Sequence, residues 1–155
     1  YRSLDGTGIF NWRFIFDFDY LPIENKIVIL KNNSISFLSP ETEIKVKPNI
    51  FLKVYDADQL SSDDLLGEIE LNLGRLVKGT SNPDLCTINM IKDNKWPKVN
   101  LFKKRVIKGW WPFMGNDGSL AVKIRIVFYK KENYLKFIHI LLKAFFQNFL
   151  VLGQS

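Results

Sequence analysis

Four aspartates, Asp56, Asp58, Asp63 and Asp64, fall within nine positions of the stretch VYDADQLSSDDLLGEIEL, Val54 to Leu71. Two like charges about 5 Å apart repel by roughly 3 kcal/mol at an effective dielectric near 20, so the cluster calls for a positive partner. A hard cation such as Ca²⁺ takes roughly six to eight oxygen ligands, and a loop rich in carboxylates supplies the protein half of such a site. Asp56 and Asp58 are two apart and point to one side of an extended chain. Asp64 returns just before Leu65-Leu66-Gly67 opens the next apolar run, and Asp63 is either a further ligand or a solvated neighbour. The competing reading is an acidic hairpin loop exposed to water. An EF-hand is excluded, because the loop lacks the central glycine and the terminal glutamate and lies between strand-like runs.

Catalytic arrangements are poorly supplied. The single histidine, His139, lies in an apolar C-terminal stretch, and the single cysteine, Cys86, has no histidine near it in sequence. Neither a nucleophile–base pair nor a histidine-containing metal site suggests itself. Acid–base work on a sugar by Asp56 and Asp64 is a third possibility, but cation binding explains the clustering better. The chain reads as a binding module rather than an enzyme.

A second constellation is LFKKRVIKGWWPF, Leu101 to Phe113, which interleaves Lys103, Lys104, Arg105 and Lys108 with Trp110 and Trp111. Basic side chains contribute about 1 kcal/mol each toward an anionic lipid surface, and tryptophans favour the headgroup level. Contact with anionic phospholipid is the functional expectation. Against it stands the structural reading, with one tryptophan in the core and the lysines on a wet edge that discourages strand pairing. Nucleic acid would attract the same residue types, but no recognised motif supports it, and none is expected as a partner.

The elements that position these residues read as strands. Phe10, Trp12, Phe14, Phe16 and Phe18 alternate with Asn11, Arg13 and Asp17, giving a period of two with one aromatic face. Further strands are expected at Lys26–Leu30, Ile50–Tyr55, Leu66–Leu73 and Ser119–Tyr129. Turn chemistry separates them, at Lys31-Asn32-Asn33, Ser39-Pro40, Lys47-Pro48-Asn49, Ser81-Asn82-Pro83-Asp84 and Gly115-Asn116-Asp117-Gly118. Short strands broken by turns predict an all-β, antiparallel sandwich with Greek-key connections over residues 1–130.

The tail YLKFIHILLKAFFQNFLVLGQS changes period. Lys136, His139, Lys143 and Gln147 recur at spacings of three, four and four, one stripe of a helix otherwise apolar all round. Residues 132–155 are therefore expected to form an amphipathic or membrane-anchor helix. Lying in the interface suits the two lysines better than spanning, which needs about 20 mostly apolar residues, and a helix packed on the sandwich or on a partner is the third reading.

The chain has 155 residues, one domain's worth, with thirteen Phe and four Trp for a core. Its one cysteine cannot form an internal disulfide, so a cytosolic setting is the default. Asn32-Asn33-Ser34 fits a glycosylation acceptor, a short and weak match. The +6 net charge is uneven: residues 1–99 carry twelve Lys/Arg against fourteen Asp/Glu, and residues 100–155 carry ten against two. The basic last third is expected to favour polyanions such as membrane phospholipid. Tyr1–Phe10 shows no signal peptide, and the chain reads as one that begins mid-protein.

VYDADQLSSDDLLGEIEL resembles the third calcium-binding loop of a C2 domain, in which a strand ends in Asp-x-Asp and a further Asp precedes the Gly of the next strand. By that resemblance Asp56, Asp58 and Asp64 are Ca²⁺ ligands. The stretches YRSLDGTGIFNWRFIFDFDYLP and KGWWPF are similar to segments of the last C2 domains of the ferlins, large tail-anchored proteins of membrane fusion and repair. The resemblance covers about residues 1–130. It implies a C2 domain that lacks its first strands and first acidic loop, with type II connectivity closed by SLAVKIRIVFY. It further implies calcium-regulated phospholipid binding on the cytoplasmic face of a membrane, with a calcium-independent protein-interaction scaffold as the alternative.

Overall fold

The computed structural model describes residues 7–16, 18–31, 42–56, 64–130 and 138–145. Their strands are β1 (Thr7–Phe16), β2 (Asp19–Leu21), β3 (Lys26–Lys31), β4 (Thr42–Val46), β5 (Asn49–Asp56), β6 (Asp64–Asn72), β7 (Leu76–Val77), β8 (Lys98–Val99), β9 (Val106–Met114), β10 (Leu120–Lys130) and β11 (Ile138–Phe145). Between β7 and β8 lies one short helix, α1 (Asn89–Lys92). Single turns of 3-10 helix sit at Leu73–Arg75, Pro83–Leu85 and Leu101–Lys103.

A six-stranded antiparallel sheet has the order β1-β11-β10-β9-β6-β5, and a three-stranded sheet the order β2-β3-β4. The smaller sheet closes over the larger. Ile27 belongs to the same buried cluster as Leu52, Ile69, Trp111 and Ile126, and Ile29 and Val46 pack against it. Tyr20 stacks on Phe102 with ring centroids 3.5 Å apart, and Phe18 meets the same ring edge-on. The all-β, antiparallel expectation holds, and the two layers are consistent with a β-sandwich.

Period-two alternation builds the layers. In β10, Val122, Ile124, Ile126 and Phe128 are buried, while Lys123 and Arg125 are half-buried on the other face. β5 buries Ile50, Leu52 and Val54, and β6 buries Gly67, Ile69 and Leu71. Their outward residues include Lys53 and Glu68, which meet at 3.4 Å. The aromatic strand expected from Phe10 is β1, with a register irregularity between Phe10 and Arg13. Phe18 lies beyond its end, buried in the core.

β9 is a strand that its sequence does not announce. Five consecutive buried residues, Gly109 to Phe113, erase the alternation that marks a half-exposed strand. Pro112 tells against a central strand as well, yet the register accommodates it. The Trp110 N–H turns away from β10 to the Thr80 carbonyl at 2.9 Å, so the nitrogen two residues on faces an edge that β10 does not use.

The tail differs from its expectation. Over Ile138–Phe145 the chain is a strand, β11, paired antiparallel with β1 on one side and β10 on the other. His139 and Lys143 are four apart, an even spacing that suits a strand as well as a helix, and Ile138, Ile140 and Phe145 favour the pleated state. β10 is therefore followed by a further strand of its own sheet. The remainder of the helix expected over 132–155 lies outside the described residues, as does Asn32-Asn33-Ser34. Among the described residues, no helix is long and apolar enough to cross a membrane.

Candidate functional site

The acidic hairpin is positioned by β5 and β6. The two strands stay in register from Asn49↔Asn72 to Val54↔Gly67, and then the register shifts so that Tyr55 pairs with Leu65 and Asp56 with Asp64. The extra residue, Leu66, makes a β-bulge, a device that bends a strand and re-aims the side chains beyond it. Gly67 sits in a tight place, since a Cβ there would meet the Cβ atoms of Ala121 and Phe113 at 3.2 Å. Asp56 and Asp64 are thus direct cross-strand partners at the mouth of the hairpin, a position where like charges oppose pairing. Asp64 is exposed. Asp58 and Asp63 lie outside the described residues. Among the described residues, no group of three or more His, Cys, Asp or Glu is close enough to hold a metal ion.

One turn shares this end of the sheet. Glu68 pairs with Met114, the last residue of β9, so the β9–β10 turn, residues 115–119, continues toward the level of Asp64. Its carboxylate, Asp117, accepts from both the Ser119 N–H at 2.9 Å and the Ser119 hydroxyl at 2.7 Å. Those bonds hold it below the usual carboxylate range. The turn itself is legible in sequence but its place is not, because the antiparallel return of β9 is a long-range pairing that no local signal encodes.

The basic stretch lies at the other end. β9 has nine residues, eight steps of about 3.4 Å, so roughly 27 Å separates its start from the level of Glu68, and Asp64 lies four residues farther on. Lys103, Lys104 and Arg105 precede that start and are exposed, as is Lys108 within the strand. The local backbone is pinned by Lys130, whose N–H donates to the Arg105 carbonyl at 2.9 Å and whose ammonium donates to the Phe102 carbonyl at 2.8 Å.

The two tryptophans are core residues. Trp111 is fully buried and Trp110 is 8% exposed, so neither offers its ring to a headgroup layer in this fold. The Trp111 indole donates to the Val77 carbonyl at 2.8 Å and meets Phe128 edge-on at 5.7 Å. Trp110 exchanges both backbone bonds with Thr80, and Trp96 donates to the Lys78 carbonyl at 2.9 Å. Trp110 and Trp111 thus fasten residues 77–80 to β9, and Trp96 ties Lys78 to the segment before β8. Any lipid contact by this stretch falls to its cations.

Cys86 is buried, and burial pushes its thiol up to about 11, with Lys123 acting against the rise. That is the wrong direction for a thiolate nucleophile near neutral pH.

The chain is 43% identical to myoferlin of Xenopus tropicalis over 130 residues, 81% of its length, and 40% identical to myoferlin of Mus musculus over 126 residues, 77% of its length. It is 38% identical to Fer-1-like protein 4 of Mus musculus over 112 residues, 72% of its length. These matches span only 7%, 6% and 6% of the relatives' own lengths. No family profile and no solved structure matches it. A segment of this size, identical to ferlins at two residues in five over most of its length and folded as antiparallel β-sheet, belongs to the ferlin family.

Proposed function

We propose that the chain is a C2-type module that binds anionic phospholipid under calcium control, within a larger protein of membrane fusion, vesicle traffic or repair. The observation that carries the reading is the in-register pair Asp56/Asp64, two aspartates opposite each other at the mouth of a hairpin whose sequence also contains Asp58 and Asp63. Repulsion across that mouth is relieved by a divalent cation. Bound Ca²⁺ reverses the sign of the tip and bridges to headgroup phosphates, with water completing a coordination shell of roughly six to eight oxygens. Lys103, Lys104, Arg105 and Lys108, at the far end of β9, add a separate attraction to anionic lipid that needs no cation. The family membership supports a cytoplasmic, membrane-associated setting.

Sedimentation with phosphatidylserine-containing vesicles, with calcium or with EDTA, tests this. The intact chain is expected to bind more vesicle with calcium, and Asp56→Asn and Asp58→Asn are expected to abolish the difference while leaving the EDTA level unchanged. Binding that ignores calcium in the parent chain and in both variants contradicts the proposal. It would leave a calcium-independent interaction scaffold as the better reading.

A further inference from the structure

The turn between β9 and β10 contains an Asp-Gly pair, Asp117-Gly118, a dipeptide in which main-chain nitrogen readily attacks the preceding side chain because glycine presents no Cβ to obstruct the approach. In such a reaction the Gly118 nitrogen bonds to Cγ of Asp117, the nitrogen loses its proton, and a carboxyl oxygen leaves as water to give a five-membered succinimide. Water then adds back to either carbonyl. Opening at the former main-chain carbonyl yields an isoaspartyl linkage with unchanged composition and one extra methylene in the backbone.

We infer that Asp117 is a self-modification site which the native turn holds in check through both of its reacting groups. The nucleophile is occupied, since the Gly118 N–H donates to the Gly115 carbonyl at 2.9 Å. The electrophile is tied back, since Asp117 Oδ1 accepts from the Ser119 N–H and hydroxyl. The turn is closed a second time by the Gly115 N–H donating to the Ser119 carbonyl at 3.0 Å. Gly118 holds φ at +73°, and the Lys92 ammonium donates to its carbonyl at 3.3 Å, so rotation toward the attack geometry must break several bonds at once. The Ser119 bonds also favour the ionised carboxylate, which is the poorer electrophile. Asp117 and Gly118 sit at a solvent-facing turn, so water is at hand for both the loss and the return.

The consequence is a record of local opening. Reaction requires the turn to open, so its rate reports how often that happens. Once formed, the longer isoaspartyl backbone no longer fits the Met114↔Leu120 register, at the end of the sheet that also holds Asp64.

The test incubates the full chain at neutral pH and 37 °C, folded or in guanidinium, and measures isoaspartate at residue 117 by peptide mapping and enzymatic methylation. The folded chain is expected to accumulate it about tenfold more slowly or better, the factor that 1.4 kcal/mol of opening free energy represents. Ser119→Ala is expected to raise the folded rate several-fold, and Ser119→Thr, which keeps the hydroxyl, to stay near the parent. Equal rates in the folded and denatured parent overturn the inference, whatever the variants do. So does a folded Ser119→Ala chain that reacts no faster than the parent.

Discussion

At the scale of single residues, a tight constraint surrounds Trp111. A Cβ on Gly79 would lie 2.8 Å from its indole ring, and a Cβ on Gly109 would lie 2.8 Å from Gly79 Cα, backbone that cannot swing aside as a side chain would. Gly109→Ala is therefore expected to destabilise the fold by about 1–3 kcal/mol, the usual range for overpacking, read as a lower urea midpoint with unchanged slope. Cys86 gives a pH signature. Its folded pKa of about 11 lies above the ordinary value near 8.5, so the protonated thiol is the form the fold favours. Its contribution to stability is complete below about pH 8.5 and is lost as pH rises through about 11. Urea midpoints measured across that window should fall more in the parent than in Cys86→Ala. Parallel curves would show that the thiol contributes nothing.

At the scale of elements, β11 carries the sharpest prediction. It lies between β1 and β10, so every residue along it has a neighbour on each side, with Leu141 paired to Arg13 and to Val127. A proline there removes a ladder donor in the middle of a sheet. Leu141→Pro is expected to lower stability by about 1–3 kcal/mol, and deleting residues 132–155 to lower it further, with loss of strand signal in circular dichroism. A tail-deleted chain that keeps its urea midpoint would show that the stretch contributes nothing to the sheet. The strands differ in how far their sequences announce them. β5, β6 and β10 are legible because one face of each is buried and the other wet, so Ile50-Leu52-Val54 and Ile124-Ile126-Phe128 show a clean period of two. β9 is illegible because Gly109 to Phe113 are buried on both faces. β11 mimics a helix because a spacing of four residues satisfies both periods, and only partners distant in sequence decide between them. The aspartate cluster is visible in composition. The pairing of Asp56 with Asp64 depends on the one-residue bulge at Leu66, which leaves no mark in the sequence.

At the scale of the whole molecule, charge is separated along the long sheet. The hairpin of Asp56 and Asp64 and the cluster Lys103, Lys104 and Arg105 lie beyond opposite ends of β9, a strand of roughly 27 Å, and so are farther apart than its length. On the proposed function, calcium at one end and cations at the other are expected to act as independent contacts. Salt should weaken the EDTA-resistant vesicle binding first, since exposed cations are screened within about 8–10 Å at moderate ionic strength. Calorimetric titration of the intact chain with CaCl₂ probes the hairpin mouth as a cation site. Three loop aspartates fill a shell of roughly six to eight oxygens at best only at its lower limit, with every carboxylate bidentate, so binding is expected to be weak, with Kd of about 10⁻⁴ M or above, and to disappear in Asp56→Asn. A parent chain that binds no calcium, or whose calcium binding persists unchanged in Asp56→Asn, would contradict the account.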